Sequence, residues 1–259
     1  MSENAKINTS RTYLESTLKR FKLLDIGENY KSVIEYAVKN KLSYREFLAK
    51  LLQLEDEGKF NRLKERNIKN ARFEGLKTLQ NFDFDANINI EEWKIRELYN
   101  INFLERKENI IFIGPPGVGK SYLATALGVR ACELGFKGLF VTAKDLIENL
   151  YKDYEKGILK NSFNKLKKFD LLIIDELGHF MMDKEKESIF FQLIRHRYEK
   201  NSLIITTNIP LGDWSQIFSS ELAATAILDR LLHHCHIISI PGDSYRVKEF
   251  LVRGETCVQ

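Results

Sequence analysis

Residues Gly114-Pro115-Pro116-Gly117-Val118-Gly119-Lys120-Ser121 match the spacing Gly-x-x-x-x-Gly-Lys-Ser/Thr. The short apolar run Ile110-Ile111-Phe112-Ile113 precedes them and a helical pattern follows. In that strand–loop–helix setting, successive backbone N–H groups and a helix N-terminus form a cradle for phosphate. The Lys120 ammonium can reach the outer phosphates, the Ser121 hydroxyl can ligate Mg²⁺, and Tyr122 directly follows the loop. The chemistry expected is the binding of a nucleoside triphosphate.

A second group of residues suits what happens to that nucleotide. Leu171-Leu172-Ile173-Ile174-Asp175-Glu176 places two carboxylates at the C-terminal end of an apolar run. In open α/β sheets ligands collect at that edge. Asp175 suits the metal, directly or through water, and Glu176, one residue on, suits the orientation or deprotonation of a water molecule. Asn208 ends the next apolar run, in Thr206-Thr207-Asn208, where its carboxamide can meet the attacking water or the γ-phosphate. Arg230 has two readings, a cation reaching a neighbouring subunit's γ-phosphate or one half of a local pair with Asp229. Arg246, in Gly242-Asp243-Ser244-Tyr245-Arg246, is a second candidate cation for the phosphates. Arg195 and Arg197 read as structural or interface charges.

These positions require a particular frame. Strands are expected at Ile110–Ile113, Gly138–Thr142, Leu171–Ile174, Leu203–Thr206 and Ile237–Ile240. Helices are expected at Ser121–Leu134, from about Lys144, at Glu185–Tyr198 and at Glu221–Leu232. Short, fully apolar strands alternating with helices predict an α/β fold, a parallel sheet covered on both faces.

The first 75 residues differ in character. They contain no proline, one turn signal at Gly27, and apolar residues at helical spacing: Leu14, Leu18 and Phe21, then Tyr30, Val33, Ile34, Ala37 and Val38. Ser43 with Glu46 forms a capping box ahead of a longer helix carrying Phe47, Leu48, Leu51, Leu52 and Leu54. A small all-helical domain over 1–75, a connector over 76–109 with a short helix around Trp93 to Leu98, and the α/β domain over 110–259 are the expected divisions. Residues 1–75 carry sixteen Lys+Arg against eleven Asp+Glu, and the remainder twenty-four against twenty-five. The N-terminal third is therefore the part expected to meet polyanions. Within it Lys59, Arg62, Arg66 and Lys69 fall on one helical face, a stripe that either tracks a DNA backbone or is a solvated surface. No base-reading motif is visible, so weak sequence preference on duplex DNA is expected.

Composition excludes other classes. No apolar run approaches the roughly 20 residues of a membrane span, and the N-terminus has no signal-like apolar core, so a cytoplasmic protein is expected. Cys132, Cys235 and Cys257 suit reduced thiols. The run His233-His234-Cys235-His236 lacks the second ligand cluster that a structural metal site needs.

Taken in order, these residues resemble the AAA+ ATPases, and more closely the IstB-like branch that includes the DnaC helicase loaders. The resemblance extends over Leu42-Ser43-Tyr44 with Glu46-Phe47-Leu48, Ala71-Arg72-Phe73 with Leu76-Lys77-Thr78-Leu79, and Phe82-Asp83-Phe84. It continues through the phosphate loop, Asp175-Glu176-Leu177-Gly178, Arg197-Tyr198-Glu199, Ala226-Ile227-Leu228-Asp229-Arg230-Leu231 and Ser244-Tyr245-Arg246. His179 departs from the aromatic residue common after Leu-Gly, and Glu74 from a common proline. The resemblance implies ATP and Mg²⁺ as cofactors, and Arg230 and Arg246 as arginine finger and second sensor. It also implies an ATPase that assembles as a homo-oligomer on target DNA and recruits and stimulates a partner transposase of an insertion sequence. A loader of a replicative helicase is the nearest alternative. A small-molecule kinase would need an acceptor pocket and a lid, and a non-hydrolysing DNA-binding module would use ATP for assembly alone. Nineteen residues follow Ile240, too few for a multi-helix lid with helices of about eleven residues. The nucleotide is therefore expected to lie open on one side until a neighbouring subunit covers it.

Overall fold

A computed structural model of the protein describes residues 10–84 and 90–242. The chain divides into two compact units that meet between Glu65 and Arg66.

Among the described residues of the first unit, α1 (Arg11–Arg20) and α2 (Leu24–Lys39) precede α3 (Tyr44–Ala71), whose last residues belong to the second unit. The capping box forms as the sequence requires. Glu46 accepts from the Ser43 N–H at 2.8 Å and the Ser43 hydroxyl at 2.7 Å, and the Glu46 N–H donates to Ser43 Oγ at 3.3 Å. The Gly27 turn does not form: Gly27 lies inside α2, and the chain reverses at Lys22, which takes φ 57°. Leu23, at the N-cap of α2, supplies no side-chain cap. Buried Glu55 of α3 replaces it, accepting from the N–H groups of Asp25 and Ile26 at 3.0 and 3.1 Å.

The second unit is built on a five-stranded parallel sheet of β1 (Asn109–Ile113), β2 (Gly138–Thr142), β3 (Leu171–Leu177), β4 (Ser202–Thr207) and β5 (Cys235–Ser239), in the order 2-3-4-1-5. Alternate strand residues face two separate cores, which is why the strands read as unbroken apolar runs. Ile111, Leu172, Ile174, Leu203 and Ile205 meet α7 (Ala143–Glu155), α9 (Lys184–Arg197) and α10 (Glu221–Leu232). Ile110, Phe112, Leu171, Ile173 and Ile204 meet α6 (Lys120–Glu133), α4 (Glu92–Leu98) and α5 (Asn102–Glu105). The segment expected to be a connector thus contributes Ile95, Leu98, Phe103 and Leu104 to the core.

The last strand starts earlier than the apolar pattern indicated, at Cys235, because its partner β1 already pairs from Asn109. Two α-helices were not expected, α5 within the connector and α8 (Leu159–Leu166), which follows α7 after Gly157 at φ 69°. No helix among the described residues is long and apolar enough to cross a membrane.

Candidate nucleotide site

The sheet order reverses beside β1, so the C-terminal edges of β1, β4 and β3 bound the crevice where α/β proteins take ligands. The phosphate loop leaves β1 there. Gly119 at its end has φ 99°, open to glycine at no cost, and a Cβ on it would come within 2.8 Å of the Phe82 ring. Phe82 in turn lies 5.4 Å from the Tyr122 ring, and the Tyr122 hydroxyl donates to the Thr78 carbonyl at 3.1 Å. Residues 78–82 are therefore tied to the first turn of α6. Buried Lys120 donates from Nζ to the Gly114 and Pro115 carbonyls, both at 2.7 Å.

The Ser121 hydroxyl donates to Asp175 Oδ1 at 2.8 Å, and the buried Thr206 hydroxyl donates to the same oxygen. A hydroxyl and a carboxylate are hard oxygen ligands of the kind Mg²⁺ takes, so this pair fits that ion. Thr206 Oγ1 also accepts from the Glu176 N–H at 2.9 Å. That bond has a local cause. Between Ile174 and Leu177, β3 carries one more residue than β4 does between Ile205 and Thr207, and Glu176 stands in the bulge at φ 60°. The left-handed conformation costs a non-glycine residue about 1–2 kcal/mol, and the bulge turns the Glu176 side chain out of the β3 alternation. Glu176 is half exposed, with His179 Nδ1 3.4 Å from its carboxylate.

Asn208 follows β4, and its Oδ1 is buried without a hydrogen-bond partner. A buried orphan acceptor is costly in a finished structure and expected where a ligand or water completes the bonding. Gly178 is close by: a Cβ there would lie 3.5 Å from that oxygen. Lys120, Ser121, Asp175, Glu176 and Asn208 are thus carried to neighbouring strand ends at one edge of the sheet.

The remaining candidates lie elsewhere. Arg230, late on α10, rests its guanidinium 4.6 Å from the Phe191 ring centroid and donates to the Ala226 carbonyl at 2.8 Å. No ion pair joins it to Asp229 among the described residues. Arg246 lies outside the described residues. In the first unit, Lys59 is 3.6 Å from Glu55, and Arg62 pairs with Asp25 at 2.5 Å and Glu55 at 3.4 Å. These two cations neutralise a buried carboxylate, a structural task the charge pattern did not reveal. In the second unit, Arg66 and Lys69 are exposed and enter no ion pair among the described residues.

Sequence reading passed over Thr206 and the His179–Glu176 contact. The repeated Thr206-Thr207 before Asn208 was the only signal for the first. The histidine run divides between two places. His236 pairs with Glu108 at 2.8 Å, while ligand atoms of exposed His233, His234 and Glu199 lie within 4.8 Å of one another. Glu199 arrives from the end of α9, a contact invisible in the local sequence.

The family model for IstB-like ATP binding proteins matches residues 16–251. The chain is 44% identical to the ATP-binding protein named for insertion sequence IS21 in Pseudomonas aeruginosa, over 91% of this chain and 89% of that one. It is 40% identical to that named for IS5376 in Geobacillus stearothermophilus, over 91% and 94%. Among solved structures it is similar to the DnaC helicase loader, with a TM-score of 0.50, 25% identity and coverage of 57% of this chain and 86% of that one. The replication initiator DnaA bound to AMPPCP and single-stranded DNA shares the fold, with a TM-score of 0.56, 20% identity and coverage of 70% and 56%. The chain belongs to the family of IstB-like ATP-binding proteins.

Proposed function

We propose that this chain is an ATPase that assembles on duplex DNA and directs a partner transposase during movement of an insertion sequence. The observation that carries the enzymatic reading is the meeting of Lys120, Ser121, Asp175, Glu176 and Asn208 at one sheet edge. The names of the relatives matched over nine-tenths of the chain support the link to insertion sequences.

In this reading the phosphate loop cradles the triphosphate and Lys120 exchanges its two carbonyl acceptors for phosphate oxygens. Ser121 and Asp175 hold Mg²⁺, which when bound neutralises charge on the outer phosphates. Glu176 orients the attacking water and takes its proton, and Asn208 offers its carboxamide to that water or to the γ-phosphate. Arg230 acts on the neighbouring subunit's nucleotide and Arg246 on its own. Supporting the first assignment, Arg230 is held by Phe191 and Ala226 and bonds to none of Lys120, Ser121, Asp175, Glu176 and Asn208 of its own chain among the described residues. An arginine finger contributes roughly 10³–10⁵ in rate, so turnover should depend on assembly.

Turnover per subunit, measured from dilute to concentrated protein with and without duplex DNA, tests the reading. It is expected to rise steeply with concentration and further with DNA. A constant value across the range contradicts it. Likeness to the DnaC loader favours a second reading, the loading of a replicative helicase. Binding of the full chain to a helicase and not to a transposase would select that reading.

A further inference from the structure

A concentration of positive charge without an assigned role lies in the second unit. Residues 156–169 contain five lysines, Lys156, Lys160, Lys165, Lys167 and Lys168, and no carboxylate, although residues 76–259 as a whole carry one more acid than base. All five are exposed, and none enters an ion pair among the described residues. Of the neighbouring acids, Asp153 accepts from the Ser162 hydroxyl at 2.5 Å, Asp170 accepts from the Lys137 N–H at 2.8 Å and Glu199 lies 3.8 Å from His233, while Glu155 stays exposed beside Lys156.

The fold gathers these cations. Helix α8 buries Ser162 and Phe163, which leaves Lys160, Asn161, Asn164 and Lys165 on its solvent side. Phe163 packs 4.9 Å from the His196 ring at the end of α9, which brings Arg195 and Lys200 to the same region. Burial lowers the His196 imidazole below its ordinary range, and Lys200, Arg195 and Lys167 lower it further, so the three cations act on one point. Arg197 fixes the base of this surface. Buried, it donates to the carbonyls of Leu166 at 3.0 Å, Phe169 at 3.2 Å and Ser202 at 2.9 Å.

We infer that the outer face of α8, with Lys167, Lys168, Arg195 and Lys200, is a docking surface for the phosphate backbone of duplex DNA. A protein partner would call for an apolar centre and few lysines. Here lysine alternates with the amide donors of Asn161 and Asn164, the mixture that contacts phosphate and sugar. The inference rests on the reading of the chain as DNA-associated and moves the principal contact from the stripe on α3, where Lys59 and Arg62 are already paired, to the ATPase unit.

The test is anisotropy of a labelled duplex titrated with the full chain and ATP over a series of salt concentrations. The variant K160Q/K165Q/K167Q/K168Q is compared with wild type and with R66Q/K69Q. Each phosphate contact contributes about 0.9 to the salt slope, so the fourfold variant should lose about 3–4 units of slope, and the twofold one much less. Nucleotide affinity and melting temperature should not change. An unchanged slope in the fourfold variant, with wild type binding normally, overturns the location alone. The same unchanged slope with loss of transposase binding would make the surface a protein dock and also overturns it. Failure of wild type to bind DNA at all overturns both this inference and the DNA-associated reading.

Discussion

Ser121 and Asp175, 54 residues apart in sequence, are joined by a 2.8 Å hydrogen bond across the ends of α6 and β3. The same Asp175 oxygen receives the Thr206 hydroxyl, whose own oxygen accepts the Glu176 N–H. Thr206 therefore positions the Asp175 carboxylate and the Glu176 backbone from the neighbouring strand. A hydrogen bond to a charged group contributes about 1.5–3 kcal/mol. Thr206→Val, which keeps the shape and loses the hydroxyl, should lower kcat by roughly 10–100-fold and raise the Mg²⁺ requirement. ATP affinity should stay near wild type, and Thr206→Ser should recover most of the rate. Steady-state hydrolysis across Mg²⁺ concentrations checks this, and equal kcat in Thr206→Val and wild type would refute it.

Asn208 separates stability from activity. Its Oδ1 has no partner, so Asn208→Ala removes an unsatisfied acceptor and should leave the melting temperature within a few degrees of wild type. Turnover should fall by about 10² if the carboxamide meets the water or phosphate. Calorimetry beside a phosphate-release assay distinguishes this from a structural role, in which both quantities would drop together.

Gly119→Ala probes the loop. Alanine there faces φ 99° and the Phe82 ring at 2.8 Å, so ATP affinity should fall more than tenfold. The double variant G119A/F82A should recover part of that loss, because the ring contact is removed while the backbone strain stays. Titration with a fluorescent ATP analogue reads both.

The thiols give a pH dependence. Burial pushes Cys132 up to about 11 and Cys235 up to about 12, from an ordinary value of 9.0. The unfolded chain therefore loses these protons before the folded one does. Their contribution to stability is complete below about pH 9 and is lost as pH rises towards the folded values. Alkylation by iodoacetamide at pH 8 should be slow at both positions in native protein and fast after unfolding. Rapid native labelling at either would contradict the raised value at that thiol.

Much of the site was legible because its motifs are local. The phosphate loop, Asp175-Glu176 and Asn208 each sit at the end of an apolar run, and the Ser43–Glu46 cap spans one turn. What escaped depends on contacts between distant segments. The bulge that turns Glu176 exists only through pairing of β3 with β4. Gly27 gives no sign that Glu55, 28 positions on, caps the helix it lies in. The four-cation stripe divides because Glu55 draws Lys59 and Arg62 to itself. The lysine face of α8 was missed because that helix is short and its apolar positions are few.

The most direct test of the account is Glu176→Gln, which keeps the shape of the side chain in the bulge and removes its basicity. ATP binding and DNA binding by the full chain are measured beside single-turnover hydrolysis. The account predicts wild-type affinity for both ligands, hydrolysis reduced by at least about 10², and protein held on DNA with ATP unspent. Hydrolysis at the wild-type rate would contradict it.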